Sequence, residues 1–241
     1  MDPTSPERAY TGGNTILDRL SPGERESLLP QLNVSYDEEG SVLRARDAPL
    51  DAVHFPIDAV YSIVVELALG HTYEVGVIGR GGAVGAEIAI GAHVSSRTVL
   101  CQSAGSVAYV SSDRFRTALD RSPTFLASVR ESLRRQWFDS QQTVACNFAH
   151  ATEQRAARWI LMTQDQIGRD RFHMRKEFLS IMLGIAPARV GEPMALLEQL
   201  GCIYYKDDQL TVRSREALLQ YACECYETAR NARFIITDRA P

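Results

Sequence analysis

The stretch RKEFLSIMLGIAPARV, residues 175–190, decides how this chain is read. Phe178, Leu179 and Met182 fall at helical spacing and give a first helix one apolar face. Gly184 follows, where a tight turn needs a residue that accepts positive φ. Ile185 then packs inward. Pro187 opens a second helix at a position where a missing N–H costs nothing, and Val190, Met194 and Leu197 continue the inward stripe. This is the spacing of a helix-turn-helix. On it, Ala188, Arg189 and Glu192 project outward from the second helix, the one that would enter the major groove of double-stranded DNA. Arg175 and Lys176 open the first helix within reach of phosphates. Taken alone, the pattern is shared with many αα-hairpins.

The flanking sequence supports the motif. Cys202-Ile-Tyr-Tyr205 and Leu210-Thr-Val212 enclose Lys206-Asp-Asp-Gln209, a compact hairpin of the shape of a wing. The 241-residue chain has a net charge of −4, so any polyanion contact must be local. Arg155, Arg158, Arg169, Arg171, Arg175, Lys176 and Arg189 supply such a local excess. Two features oppose it. Pro193 lies inside the expected recognition helix, where proline costs about 3 kcal/mol or forces a kink. Asp207 and Asp208 at the wing tip would repel phosphate. Ala188 can touch a thymine methyl but makes no bidentate contact, which leaves base readout to Arg189.

Upstream, a long helix is expected from Pro123 to about Asn147. Leu126, Val129, Leu133, Trp137, Val144 and Phe148 recur at three- and four-residue steps, with Ser140 filling the gap. A helix that long, with a narrow stripe, suits a two-helix seam between copies of the chain. A second helix is expected over 152–167, with Ala156, Trp159 and Ile160 inward.

From Leu32 to Val110 short β-rich runs alternate with Gly, Pro and Asp turns, as in 53–55, 59–65, 72–78, 97–101 and 106–110. No helical crossover separates them, so a jelly roll or barrel is expected rather than a parallel sheet. Ser21-Pro-Gly-Glu24 is a capping box opening a short helix, and Asp113 caps another that ends near Arg121. The chain therefore reads as α+β in three parts: an effector-sensing barrel over 14–121, a dimerisation helix over 122–149 and a winged helix-turn-helix over 150–226. Residues 1–13 read as a disordered tail without the apolar core of a leader.

The five cysteines are odd in number, lack a CxxC pair and lack zinc spacing. No metal is expected from them. They fit a reduced, cytoplasmic compartment, with Cys101, Cys146 and Cys202 as small buried hydrophobes and Cys223-x-Cys225 as the pair open to redox chemistry. No apolar run reaches the length of a membrane span. No nucleophile–base constellation, metal triad or NTPase phosphate loop points to an enzyme.

The order barrel, long helix, EFLSIMLGIAPARV, then GCIYYKDDQLTV resembles the Crp/Fnr family of regulators, from about Leu17 to Tyr226. EQRAARWILMTQD and ACECY look like a branch of the same family. The resemblance implies a cyclic-nucleotide-binding-type jelly roll and a homodimer. It also implies a small-molecule or redox sensor, control of transcription at a palindromic site, and RNA polymerase as a further partner. Cyclic-nucleotide members of the family bind the ribose hydroxyl with a Glu. They neutralise the cyclic phosphate with an Arg ten residues later and add a Ser or Thr directly after it. Glu87, Arg97 and Thr98 match that spacing, and guanidinium on phosphate is a charge-assisted pair. The family's Gly before the Glu is Ala86 here, with Gly85 one step earlier. Gln141 and Gln142 lie near the place where dimer-helix residues contact the purine. A cyclic nucleotide, another effector and no small effector all stay open. The redox and haem branches fit worse, because no N-terminal cysteine cluster exists and His54, His71 and His93 are scattered. A different class of reading is a sensor or interaction protein with a degenerate DNA-binding domain, motivated by Pro193 and the acidic wing tip.

Overall fold

A computed structural model describes residues 9–68 and 70–237. The expected tail lies partly outside the described residues. The part inside is ordered, because the Tyr10 hydroxyl donates to the Asp18 carboxylate at 2.7 Å and its ring packs on an apolar core. Helix α1 (Thr15–Asp18) is capped by the buried Asn14 side chain. The Asn14 amide also donates to the Pro56 and Gly82 carbonyls, each at 3.0 Å. Helix α2 (Pro22–Leu28) carries the expected capping box, with Ser21 and Glu24 bonded reciprocally.

Seven strands follow: β1 (Asn33–Asp37), β2 (Val42–Arg44), β3 (Ala52–Pro56), β4 (Val60–Glu66), β5 (Thr72–Ile78), β6 (Thr98–Ser103) and β7 (Gly105–Ser111). They form two sheets, ordered β1-β7-β3 and β2-β6-β4-β5. The pairings of β7 with β1 and β3 are antiparallel, with Asn33 opposite Tyr109 and Val53 opposite Val110. This is the jelly-roll expectation, met. Strands β1 and β2 escaped the sequence reading. Strand β1 is half-exposed along nearly its whole length, so no clean alternation marks it.

Helix α3 (Ser112–Arg121) starts one residue before Asp113, with Ser111 at its cap. The long helix α4 (Pro123–Ala149) then runs two residues past the expected end. Next come α5 (Thr152–Ile167), β8 (Arg171–His173), α6 (Lys176–Leu183), a 3₁₀ turn at Pro187–Arg189, α7 (Gly191–Gln199), β9 (Ile203–Lys206), β10 (Gln209–Val212), α8 (Arg215–Tyr221) and α9 (Cys225–Thr237). The wing is a three-stranded antiparallel sheet, β8-β10-β9, with one more strand than the hairpin read from sequence.

Two compact units emerge. One holds the chain up to Tyr61 with Ile78–Arg134, and the other holds Ser62–Val77 with the chain from Arg135 onward. The cut passes through α4 and β4, whereas the expected parts 14–121, 122–149 and 150–226 follow element ends. The core of the first unit gathers Phe55, Phe115 and Phe125, with ring centroids 6.2 and 5.7 Å apart along that series. Val129 of α4 is fully buried in the same core, and Leu126 and Leu133 pack against it. Val129, fully closed off, therefore leaves the expected seam between copies, a correction to the stripe, whereas Leu126 and Leu133 keep part of their surface exposed. In the second unit the stripe turns outward. Trp137 is 68% exposed, Val144 56% and Phe148 89%.

Candidate nucleic-acid interface and effector site

Helix α6 ends on Gly184, whose φ of 61° lies in the left-handed region where a Cβ would be strained. The turn is held further by Ser180, whose hydroxyl donates to the Ile185 carbonyl at 2.6 Å while its own carbonyl accepts the Ile185 N–H at 3.2 Å. Phe178, Leu179, Met182, Val190, Met194 and Leu197 are buried, as the stripe requires. Ala188, Arg189 and Glu192 are exposed on the outer side. Lys176 is exposed too, and the Arg175 guanidinium sits 5.0 Å above the Phe178 ring at the start of α6.

The objection from Pro193 disappears. Pro187–Arg189 is a separate 3₁₀ turn and α7 begins at Gly191, so Pro193 is the third residue of the helix. The first four N–H groups of a helix have no intrahelical partner, and a proline there removes no bond. The acidic wing tip has a backbone reason as well. Asp207 and Asp208 adopt φ of 50° and 58°, the pair of left-handed residues that a type I′ hairpin demands and that Asp tolerates. Asp208 also accepts the Tyr205 hydroxyl at 3.1 Å, and its carbonyl takes the Met174 N–H at 2.7 Å. Lys206 beside the tip, and Arg171 and Arg213 further along the same sheet, are exposed, with the Arg213 guanidinium 5.0 Å from the Tyr204 ring.

Two of the basic residues counted toward DNA are structural. Arg158 is buried and donates to the Thr143 hydroxyl at 3.2 Å, which joins α5 to α4. Arg155 donates to the Asn147 side chain at 3.1 Å and to the Leu183 carbonyl, which ties α5 to the ends of α4 and α6.

The cassette spacing meets a different geometry. Gly85 has φ 87°, and a Cβ there would lie 2.8 Å from the Ala52 carbonyl, so the backbone itself needs this glycine. The 3₁₀ turn Ala86–Ile90 then carries Glu87, half-buried. Arg97 is exposed and donates to the Ser96 carbonyl at 2.7 Å. The Thr98 hydroxyl accepts the Arg46 N–H at 3.3 Å. No ion pair joins Glu87 to Arg97 among the described residues. Of the two glutamines on α4, Gln141 is exposed, whereas Gln142 donates to the Cys225 thiol at 3.0 Å. Gln142 is thus engaged inside the second unit.

Two groupings were invisible in the sequence. Glu74 of β5 is buried in the second unit and accepts the Ser62 hydroxyl at 2.5 Å. Burial pushes its carboxyl up to about 7, against the opposing pull of Ser62, Trp159 and Arg158. The Trp159 indole N–H faces this carboxylate without reaching full hydrogen-bond geometry. The second grouping is Cys146, His150, Cys223 and Cys225, whose donor atoms all lie within 4.8 Å of one another. The pair at the C-terminal end of α4 and the pair around the start of α9 are more than seventy positions apart, which is why no zinc spacing could be read from the sequence. Cys146, expected as a small buried hydrophobe, therefore stands together with the Cys223-x-Cys225 pair.

Many solved structures match this architecture. FixK2 from Bradyrhizobium japonicum matches with a TM-score of 0.68 at 13% identity, over 80% of this chain and 98% of that one. A transcriptional regulator of the CRP family from Thermus thermophilus matches at 0.65 and 16% identity, over 78% and 96%. The c-di-GMP responsive global regulator CLP of Xanthomonas campestris matches at 0.61 and 14%, over 80% and 100%. The fold is that of the Crp/Fnr regulators. The resemblance drawn from the sequence is thereby borne out at the level of fold, jelly roll and helical C-terminal domain together. No protein-family model matches the sequence, and no curated protein matches it either. Among the described residues no helix is long and apolar enough to cross a membrane.

Proposed function

We propose that the chain is a dimeric transcription regulator that reads a palindromic DNA site through the turn Pro187–Arg189, α7 and the wing, under control of an effector sensed by the barrel. One observation carries the reading. Ala188, Arg189 and Glu192 stand exposed on a helix-turn-helix whose inner residues Phe178, Leu179, Met182, Val190, Met194 and Leu197 are buried, with the exposed cations Arg171, Lys206 and Arg213 on the wing. In that arrangement Arg189 reads base edges, while Lys176 and the wing cations hold phosphates. Trp137, Gln141, Val144 and Phe148 recur at steps of four, three and four on exposed helix, a pattern that suits a seam with a second copy. Such a dimer sets the two recognition helices against half-sites about 34 Å apart.

Random-site selection followed by mobility shift tests this. The expected product is a two-fold symmetric sequence, with Arg189→Ala losing about 1–3 kcal/mol of discrimination at one position of each half-site. Failure of full-length dimer to enrich any sequence at low salt would sink the proposal.

For the effector, the proposal takes a cyclic nucleotide as the first ligand to test, held by Glu87, Arg97 and Thr98. Its support is the cassette spacing and the exposed guanidinium of Arg97. Two solved neighbours also point that way: CLP, described as c-di-GMP responsive, and a putative cAMP-binding regulatory protein from Silicibacter pomeroyi. Calorimetry with cyclic mono- and dinucleotides, repeated on Arg97→Ala, decides it. No heat from any of them leaves another effector or none.

The second reading, an interaction protein with a degenerate DNA domain, is favoured by one contact. Arg189 Nη2 lies 3.4 Å from the Glu192 carboxylate, so the base reader already has an anionic partner. Glu192→Gln separates the two readings. Tighter DNA binding supports the regulator, and continued absence of binding supports the alternative.

A further inference from the structure

We propose that Cys146, His150, Cys223 and Cys225 form a structural site for a single tetrahedral metal ion of the zinc class. Cys146 lies on the last turn of α4 and His150 directly follows its last residue, with the His150 N–H bonded to the Cys146 carbonyl at 3.1 Å, which brings both side chains to one side of the helix end. Cys223 and Cys225 bracket the start of α9 and bring their thiols to that same face. All four belong to the second compact unit.

The distances fit one ion. With zinc–sulfur bonds near 2.3 Å and zinc–nitrogen bonds near 2.0–2.1 Å, the edges of a tetrahedron come to about 3.8 Å between sulfurs and about 3.6 Å from sulfur to nitrogen. Cys146 and Cys223 place their sulfurs 3.5 Å apart, and Cys225 Sγ lies 3.6 Å from His150 Nδ1. No pair in the set exceeds 4.8 Å, which leaves room for one centre and not for an iron–sulfur cluster.

The outer contacts fit as well. His150 Nε2 lies 3.0–3.1 Å from the two Glu224 carboxylate oxygens. With its proton on Nε2 donated to Glu224, the lone pair of Nδ1 points at the thiols, as in a carboxylate–histidine–metal arrangement. Gln142, one turn before Cys146, donates an amide N–H to Cys225 Sγ at 3.0 Å, a bond that supports a thiolate. The plain alternative, three small buried hydrophobes, accounts less well for the site. Among the described residues its buried cluster is made of the three cysteines, with an imidazole beside them. Three thiols, an imidazole and a closed shell match the Cys₃His set of structural zinc, with no open position for catalysis. Binding releases the three S–H protons to solvent as the ion is taken up. The ion would then fasten the last turn of α4 to the start of α9.

The test uses the full chain, purified without chelator. Elemental mass spectrometry is expected to find one zinc per chain, released by a mercurial that modifies thiols. Cobalt added to the demetallated protein is expected to give the visible bands of tetrahedral thiolate coordination, saturating at one equivalent. Cys146→Ser, Cys223→Ser, Cys225→Ser and His150→Ala should each lower the zinc content at least tenfold, while Cys101→Ser and Cys202→Ser leave it unchanged. The cobalt titration of the unaltered chain holds even where a variant fails to fold. The proposal is overturned by cobalt spectra without thiolate bands, by zinc content that is indifferent to the four substitutions, or by a Cys146–Cys223 disulfide in place of metal in freshly purified protein.

Discussion

The two halves of α4 carry one hydrophobic period and meet different surroundings. In the N-terminal half, Leu126, Val129 and Leu133 face an apolar core of phenylalanine, leucine and valine. In the C-terminal half the apolar residues Trp137, Val144 and Phe148 are exposed, and the inward side meets polar and thiol groups. Thr143 accepts from Arg158, Gln142 donates to Cys225, and Cys146 joins the cysteine cluster. A periodic stripe therefore says which residues share a helix face. It does not say whether the partner of that face is the same chain or another.

The sharpest way to break this comparison is a matched pair of charges. Val129→Asp places an unpaired carboxylate in a closed core and should cost more than about 4 kcal/mol, enough to unfold the barrel unit in a thermal melt. Trp137→Asp, two turns further along the helix, should leave the secondary structure intact by circular dichroism and convert dimer to monomer by sedimentation. If both variants unfold, or both stay dimeric, the division of α4 is wrong.

The next effect concerns the polar surroundings of the C-terminal half. Glu74 titrates at about 7 in the folded chain, above the 4.5 of an exposed glutamate. A raised folded value means that the native state keeps a proton the unfolded chain has lost. The stabilisation is complete below 4.5 and disappears as pH rises through 7. Between those limits the unaltered chain should lose on the order of 3 kcal/mol relative to Glu74→Gln. Denaturant melts of both proteins across pH 4–8 measure the difference in slope. Parallel curves would show that Glu74 is not desolvated.

A smaller effect is expected on the exposed side. Val144→Ser removes an apolar contact from the proposed seam without touching a buried one. Monomer stability should change by less than about 0.5 kcal/mol, while the dimer dissociates at higher concentration. The smallest effect tests position against pattern in α7. Pro193→Ala should change stability by well under the roughly 3 kcal/mol that an interior helical proline costs, because Pro193 sits in the first turn. A large gain in stability would mean that the helix begins earlier, at Pro187.

Much of the architecture was legible in the sequence because it depends on local chemistry. The capping box of Ser21 and Glu24, the helix stop at Gly184 and the inward stripe Phe178, Leu179, Met182 are set by residues within a turn or two of one another. The third wing strand, β8, was missed, since three residues carry too little periodicity to register. Arg155 and Arg158 were read as candidates for DNA because charge alone does not reveal burial.

The sequence by itself determined the order of elements, the turn of the helix-turn-helix and the residues on its outer face, since backbone propensity and hydrophobic period act over a few positions. Only the tertiary structure decided that α7 starts at Gly191, that α4 changes partners along its length, and that Glu74 is buried. It alone brought Cys146 and His150 to Cys223 and Cys225. Those outcomes depend on which surfaces pack together, and packing joins residues whose separation along the chain carries no periodic signal.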